Sequence, residues 1–144
     1  MAATYRLGPA RRLANRAVRL LLRVGLGPPS TYLLTVRGRK SGQPRSTPVT
    51  LVEDGGDRWL VAPYGAVAWV LNTRAAGRVT LCRGRRAETV AVTELGPEAS
   101  APVLQRYLGR VPITRPFFDA RPTSSLEAFV AEAPRHPVFL ITRA

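Results

Sequence analysis

The sequence predicts an α+β fold: a small, closed or partly open β-barrel of about six mostly antiparallel strands flanked by helices, with residues 1–144 forming one domain. Three observations carry that expectation. Strand-like runs come early and are joined by tight turns, a short helix is inserted among them, and an apolar run returns after two further helices. Closure would remove exposed sheet edges, although periodicity gives the elements and not the barrel itself. A chain of 144 residues, 45% of them hydrophobic, is long enough to bury a core.

The elements follow in order. From Pro9, PARRLANRAVRLLLRVGLGP has helical periodicity, so an amphipathic helix is expected over residues 9–25. Leu13, Ala17, Leu20, Leu21 and Val24 form its apolar stripe and Arg12, Arg16, Arg19 and Arg23 a second one. The helix either packs on the body with solvated arginines or lies on an anionic membrane surface. Gly25, Gly27 and Pro28-Pro29 end it. TYLLTVR (31–37) reads as a strand, GRKSGQPR as a connection and STPVTLVE (46–53) as the next strand. Asp54-Gly55-Gly56 turns the chain into DRWLVAP (57–63), a hairpin. AVAWVLNTRAAG fits a short helix ending at Gly77. GRVTLCR and RAETVAVTEL form a second hairpin about Arg83-Gly84-Arg85. Pro97 opens the helix PEASAPVLQRYLG, TSSLEAFVAEA makes another capped by Ser124 or Thr123, and HPVFLITR is the closing strand.

Charge is unevenly placed. The chain carries 22 basic and 9 acidic residues, a formal +13. No Asp or Glu precedes Glu53, so residues 1–52 alone hold +10. Such asymmetry points to an anionic partner: nucleic acid, a membrane surface or an acidic small molecule. Lys40 is the single lysine in an arginine-rich chain. Cys82, the one cysteine, excludes an internal disulfide and reads as a small apolar strand residue. No run of 18 apolar residues suggests a membrane-spanning helix, and Arg19 and Arg23 interrupt any secretory signal. An organelle presequence would fit the Arg-rich start, but the helix needs those residues. No metal cluster, catalytic triad or carboxylate pair is evident, and His136 reads as structural or exposed.

Two stretches carry chemistry. GRKSGQPR has Gly38 and Gly42 for tight turns, with Arg39, Lys40, Ser41, Arg45 and the following Ser46 and Thr47 as donors. Converging donors, a forked guanidinium and a point-charge ammonium suit a phosphate. A basic hairpin loop is the alternative. In VAPYGAVAWVLNTRAAG, Gly65 lets backbone approach a planar ligand. Trp69 and Asn72 share a helix face, serving either as an aromatic wall and an amide or as core packing and a local bond.

Together, GRKSGQPRSTPV and the downstream A-W-V-L-N-T-R-A-A resemble the deazaflavin-dependent nitroreductase and quinone reductase family of actinobacteria. The resemblance covers roughly Thr31 to Leu95. It implies a split β-barrel of the flavin-binding type and coenzyme F-420, a deazaflavin with a phosphodiester and an oligoglutamate tail. It further implies that Arg39, Lys40, Ser41, Arg45, Ser46 and Thr47 hold the phosphate. Ala62, Pro63, Tyr64 and Gly65 would line the deazaflavin ring, with Ala68, Trp69 and Asn72 opposite. The segment YGAVAW is shorter than in many relatives, and the family's substrate-facing tyrosines have no secure counterpart. Tyr107, Phe117 and Phe118 are candidates for that role, or core packing.

The expected function is hydride transfer from reduced coenzyme F-420 to a quinone, nitro compound or other activated acceptor, with no side chain assigned as a catalyst. The cofactor carries the chemistry and the protein supplies position and electrostatics. A cytoplasmic enzyme is expected, with peripheral contact to the inner face of the membrane through the N-terminal helix and a homodimeric state. Two other readings stay open. One is an FMN-binding split-barrel reductase, the other a non-enzymatic basic protein for anionic membrane or nucleic acid, though no RNA motif or recognition helix is present.

Overall fold

The computed structural model describes residues 9–23, 25 and 30–143, with side chains from residue 16 onward. Six strands are present: β1 (Thr31–Arg37), β2 (Pro44–Asp54), β3 (Asp57–Val61), β4 (Arg78–Arg83), β5 (Arg86–Glu94) and β6 (Val138–Arg143). All neighbours pair antiparallel, in the closed order β1-β2-β3-β6-β5-β4. The last strand bridges β3 and β5, so the barrel has no free edge among the described residues. Four α-helices accompany it: α1 (Pro9–Arg23), α2 (Ala68–Ala76), α3 (Pro97–Arg110) and α4 (Leu126–Glu132).

Turn chemistry explains the two tight hairpins. Asp54 pairs with Asp57, leaving Gly55 and Gly56 as a two-residue loop with φ of 59° and 87°. Two successive positive φ values are what that loop demands and what glycine supplies. Arg83 pairs with Arg86, and Gly84 takes a φ of 62° at the first loop position.

Strand alternation divides the apolar residues between two cores. Leu60 and Val61 are adjacent on β3 and face opposite ways. Leu60 joins Leu34, Val49, Leu51, Leu81 and Phe139 inside the barrel. Val61 joins Val52, Leu104, Leu108 and Phe129 beneath α3 and α4.

Three expectations are corrected here. Helix α1 ends at Arg23, with Gly25 already in a turn, and Ala17, Leu20 and Leu21 do not pack inward. Leu20 is 58% exposed, whereas Leu22 is fully buried and its carbonyl accepts the Gly84 N–H at 2.7 Å. The body takes the Val18–Leu22 face, which is also helically spaced, and leaves the leucine pair outside. Val24 and the Arg12 and Leu13 side chains lie outside what the structure describes. Second, Ser125 caps α4, its Oγ accepting the Ala128 N–H, while the Ser124 hydroxyl accepts from Arg121 one turn earlier. Third, a 3₁₀ helix over Pro112–Phe117, unanticipated from the sequence, links α3 to the loop before α4.

Leu60→Ala should lower stability by about 2–5 kcal/mol through cavity formation in the barrel. Leu20→Ala should shift it by no more than about 0.5 kcal/mol. Urea unfolding of the two variants measures the contrast.

Candidate functional site

A cleft of about 840 Å³ opens where β2, the Gly38–Gln43 loop, α2 and the 3₁₀ helix meet. Its loop wall is built from the backbone. The Gly38 N–H donates to the Gln43 carbonyl at 2.8 Å and the Gly42 N–H to Gly38 at 2.9 Å, closing the loop at its neck. A Cβ at Gly38 would stand 2.7 Å from Ser41 Oγ and 3.2 Å from the Gln43 carbonyl oxygen, so a larger residue there would have to push both aside. The Ser41 hydroxyl accepts the Gln43 N–H at 3.2 Å.

Beyond the loop, β2 alternation puts Arg45 and Thr47 on the face that continues to Val49 and Leu51. Ser46 points the other way, where its hydroxyl meets Thr35 Oγ1 at 2.8 Å. The exposed cations of the loop wall are Arg39, Lys40 and Arg45.

Asn72 ties the two walls together. Its side chain is 5% exposed, and its Oδ1 accepts both the Arg39 backbone N–H at 3.1 Å and the Arg39 guanidinium at 2.7 Å. Two donors on one carbonyl, both from the same residue, lock the Gly38–Gln43 loop to α2. Trp69, one turn earlier on α2, packs at 6.3 Å from Phe139 in the barrel core and also lines the cleft.

The residues expected at the site are mostly brought together. Arg39, Lys40, Ser41, Arg45, Ser46, Thr47, Pro63, Tyr64, Ala68, Trp69 and Asn72 line one cleft. Ala62 and Gly65 do not. Ala62 is buried in the barrel core, and Gly65, at φ 88°, packs toward the Arg135 carbonyl.

Two arginines missed by the sequence reading complete the charge. Arg19 and Arg23 of α1 line the same cleft, so among the described residues five cations face it and no carboxylate does. Away from the cleft, Glu94 pairs with Arg74 at 2.7 Å and Asp54 with Arg106 at 2.9 Å. The acid-free stretch before Glu53 was the available signal.

The far wall holds the aromatics. Tyr64 meets Phe117 edge-on at 4.8 Å. Tyr107 lines the cleft, and burial, then the neighbouring Tyr64, push its phenol well above the usual range, against a hydrogen bond with Thr114. The Thr114 hydroxyl also bonds the Val111 carbonyl at 2.7 Å. Phe118 stacks on His136 with ring centres 3.8 Å apart. His136 is buried between the Pro63 carbonyl and Glu132, and burial pushes its imidazole down while both partners push it up. No group of metal-ligating residues occurs among the described residues.

A closed antiparallel six-stranded barrel flanked by helices, with a cationic loop beside an aromatic wall, is an α+β fold of the split-barrel class. The chain belongs to the F420H2-dependent quinone reductase family, whose profile matches residues 11–122. It is a deazaflavin-dependent enzyme, and its cofactor is coenzyme F-420. Solved structures show the same fold. One described as a domain-swapped dimer is 21% identical over 93% of this chain and 99% of its own, with a TM-score of 0.56. An F420-H2 dependent reductase is 23% identical over 78% and 94%, at 0.54. A protein of unknown function from Agrobacterium tumefaciens is 17% identical over 99% and 58%, at 0.58. No curated protein sequence matches the chain at a significant level.

Replacing Asn72 by Leu leaves the Arg39 N–H without its acceptor and should cost about 1–3 kcal/mol of stability. Asn72→Asp keeps the acceptor and should lose less. Urea melts, with hydrogen exchange at the Arg39 amide, read the difference.

Proposed function

We propose that this cleft holds coenzyme F-420 with its phosphodiester on the Gly38–Arg45 loop and its ring along Pro63, Tyr64, Ala68 and Trp69, and that a quinone is the acceptor. The observation that carries the reading is the set of five cations, with no carboxylate among the described residues, around one cleft. Arg39 and Arg45 offer forked guanidinium donors, and Lys40 offers a point charge beside them. Arg19 and Arg23 supply further positive charge for the cofactor's acidic tail.

When bound, the reduced cofactor supplies the hydride that the acceptor takes up. The chain's own part is to position, to exclude water and to set the field. Trp69 is anchored against Phe139, so the ring wall is rigid. Tyr107 keeps its proton through the working range and presents a neutral wall next to Tyr64. Family membership favours the deazaflavin over FMN.

No helix among the described residues is long and apolar enough to cross a membrane. We place the enzyme in the cytoplasm, with α1 touching the inner membrane face. The exposed Leu20 and Leu21 beside Arg16, Arg19 and Arg23 support that contact, and a quinone dissolved in lipid would meet the cleft there. A homodimer is the assembly we propose, on the likeness to the domain-swapped neighbour.

Lys40→Ala and Arg45→Ala should each weaken binding of oxidised coenzyme F-420 about tenfold, more steeply at low salt. Both side chains are exposed, so Tm should stay within about 2 °C. A fluorescence titration beside a parallel FMN titration checks this, and unchanged affinity in both variants would remove the loop from the site. For the membrane contact, a Leu20→Asp, Leu21→Asp variant should lose co-sedimentation with phosphatidylglycerol vesicles. Equal sedimentation of the two proteins would end that assignment.

A further inference from the structure

Behind the cleft lies a buried polar cluster that no proposed cofactor contact uses. Glu132, at the end of α4, is 2% exposed. Its Oε1 accepts the backbone N–H groups of Asp119 and Ala120, both at 2.6 Å. Its Oε2 accepts from Arg135 at 3.1 Å and meets His136 Nε2 at 2.9 Å. Three donors, the Asp119 and Ala120 N–H groups and the Arg135 guanidinium, offset the cost of burying this carboxylate. Arg135 also pairs with Asp119 at 2.9 Å. The imidazole is thereby held on one edge by Glu132 and on one face by Phe118.

The other ring nitrogen is what reaches the cleft. His136 Nδ1 stands 2.8 Å from the Pro63 carbonyl oxygen. A carbonyl can only accept, so this contact is a hydrogen bond with the proton on Nδ1. The contact falls where the β3–β6 ladder runs out. The Ala62 N–H donates to the Pro137 carbonyl at 2.8 Å, but Pro137 has no N–H to return the bond. One position further, the His136 side chain supplies a donor the backbone lacks. From Pro63 the chain makes a tight turn, in which the Val67 N–H donates to Gly65, and enters α2 with Trp69 and Asn72.

We propose that His136 is a positioning residue of the cleft: its Nδ1–H clips the Pro63 carbonyl, and through it the turn into α2, to the ring-holding cluster of Glu132 and Phe118. The inference rests on the reading that Pro63 to Trp69 forms the ring wall.

Two amide substitutions separate the bonds. His136→Asn puts an amide N–H near the place of Nδ1 and keeps the Pro63 bond. His136→Gln puts it near the place of Nε2 and keeps the Glu132 bond. Both should lower Tm. Oxidised coenzyme F-420 should bind His136→Asn within about twofold of the unaltered protein and His136→Gln about tenfold more weakly, the scale of one lost hydrogen bond. Hydrogen exchange of the Gly65–Ala68 amides, without cofactor, should quicken in the Gln variant more than in the Asn variant. Equal exchange in the two variants overturns the clip. Unequal exchange with equal F-420 affinity leaves the clip standing and removes the ring-wall reading. Should neither variant fold, ¹⁵N spectra of the unaltered protein decide, because His136 is the single histidine. A protonated, slowly exchanging Nδ1 supports the clip, and a bare Nδ1 refutes it.

Discussion

Closure of the barrel by its last strand is the constraint on which the rest of the molecule depends. β6 enters between β3 and β5 after two helices and two 3₁₀ segments, and pairs with both neighbours. Without it, β3 and β5 would each expose an unpaired edge, and the two cores would lose Phe139 and Val138. The pairing is long-range in sequence, so its loop entropy must be met by burial on both faces of the strand. One consequence is architectural: residues near the C-terminus come to support the cleft, whose loop and helix belong to the first half of the chain.

Charge is sorted as strictly as apolar surface. The described carboxylates with ion-pair partners face arginines outside the cleft, including Arg58, Arg74, Arg106 and Arg135. The cleft keeps its cations without acidic counterparts. Exposed pairs of this kind contribute little to stability, since solvent screens them. Their value lies in where they leave the field. A surface with interspersed signs surrounds one concave region of a single sign, which focuses the potential on an approaching anion.

Much of this was legible in the sequence, and the failures share a cause. The hairpins were readable because Gly55, Gly56 and Gly84 are local necessities of their turns. The loop and helix at the site were readable because donors and aromatics cluster in sequence. The inward face of α1 was misread because two adjacent faces are apolar, and only the tertiary fold chooses Leu22 over Leu20. Asn72 lines the cleft as expected, but the bond of its carbonyl to Arg39, 33 residues away, was not legible. Glu132 and His136 looked unremarkable because their partners are Pro63, Asp119 and Ala120, brought together by packing alone. Local geometry announces itself in a sequence, while long-range hydrogen bonding does not.

Lys40 has a further consequence. It is the single lysine side chain of the protein, it is exposed, and it stands on the loop wall of the cleft. Every other side-chain cation is a guanidinium, which stays protonated and is a poor nucleophile. Acylating or reductively alkylating reagents therefore find one side-chain amine, on the wall of the cleft. A chromophore attached there would report on that cleft alone, and a bound ligand that covers the loop would shield it from the reagent.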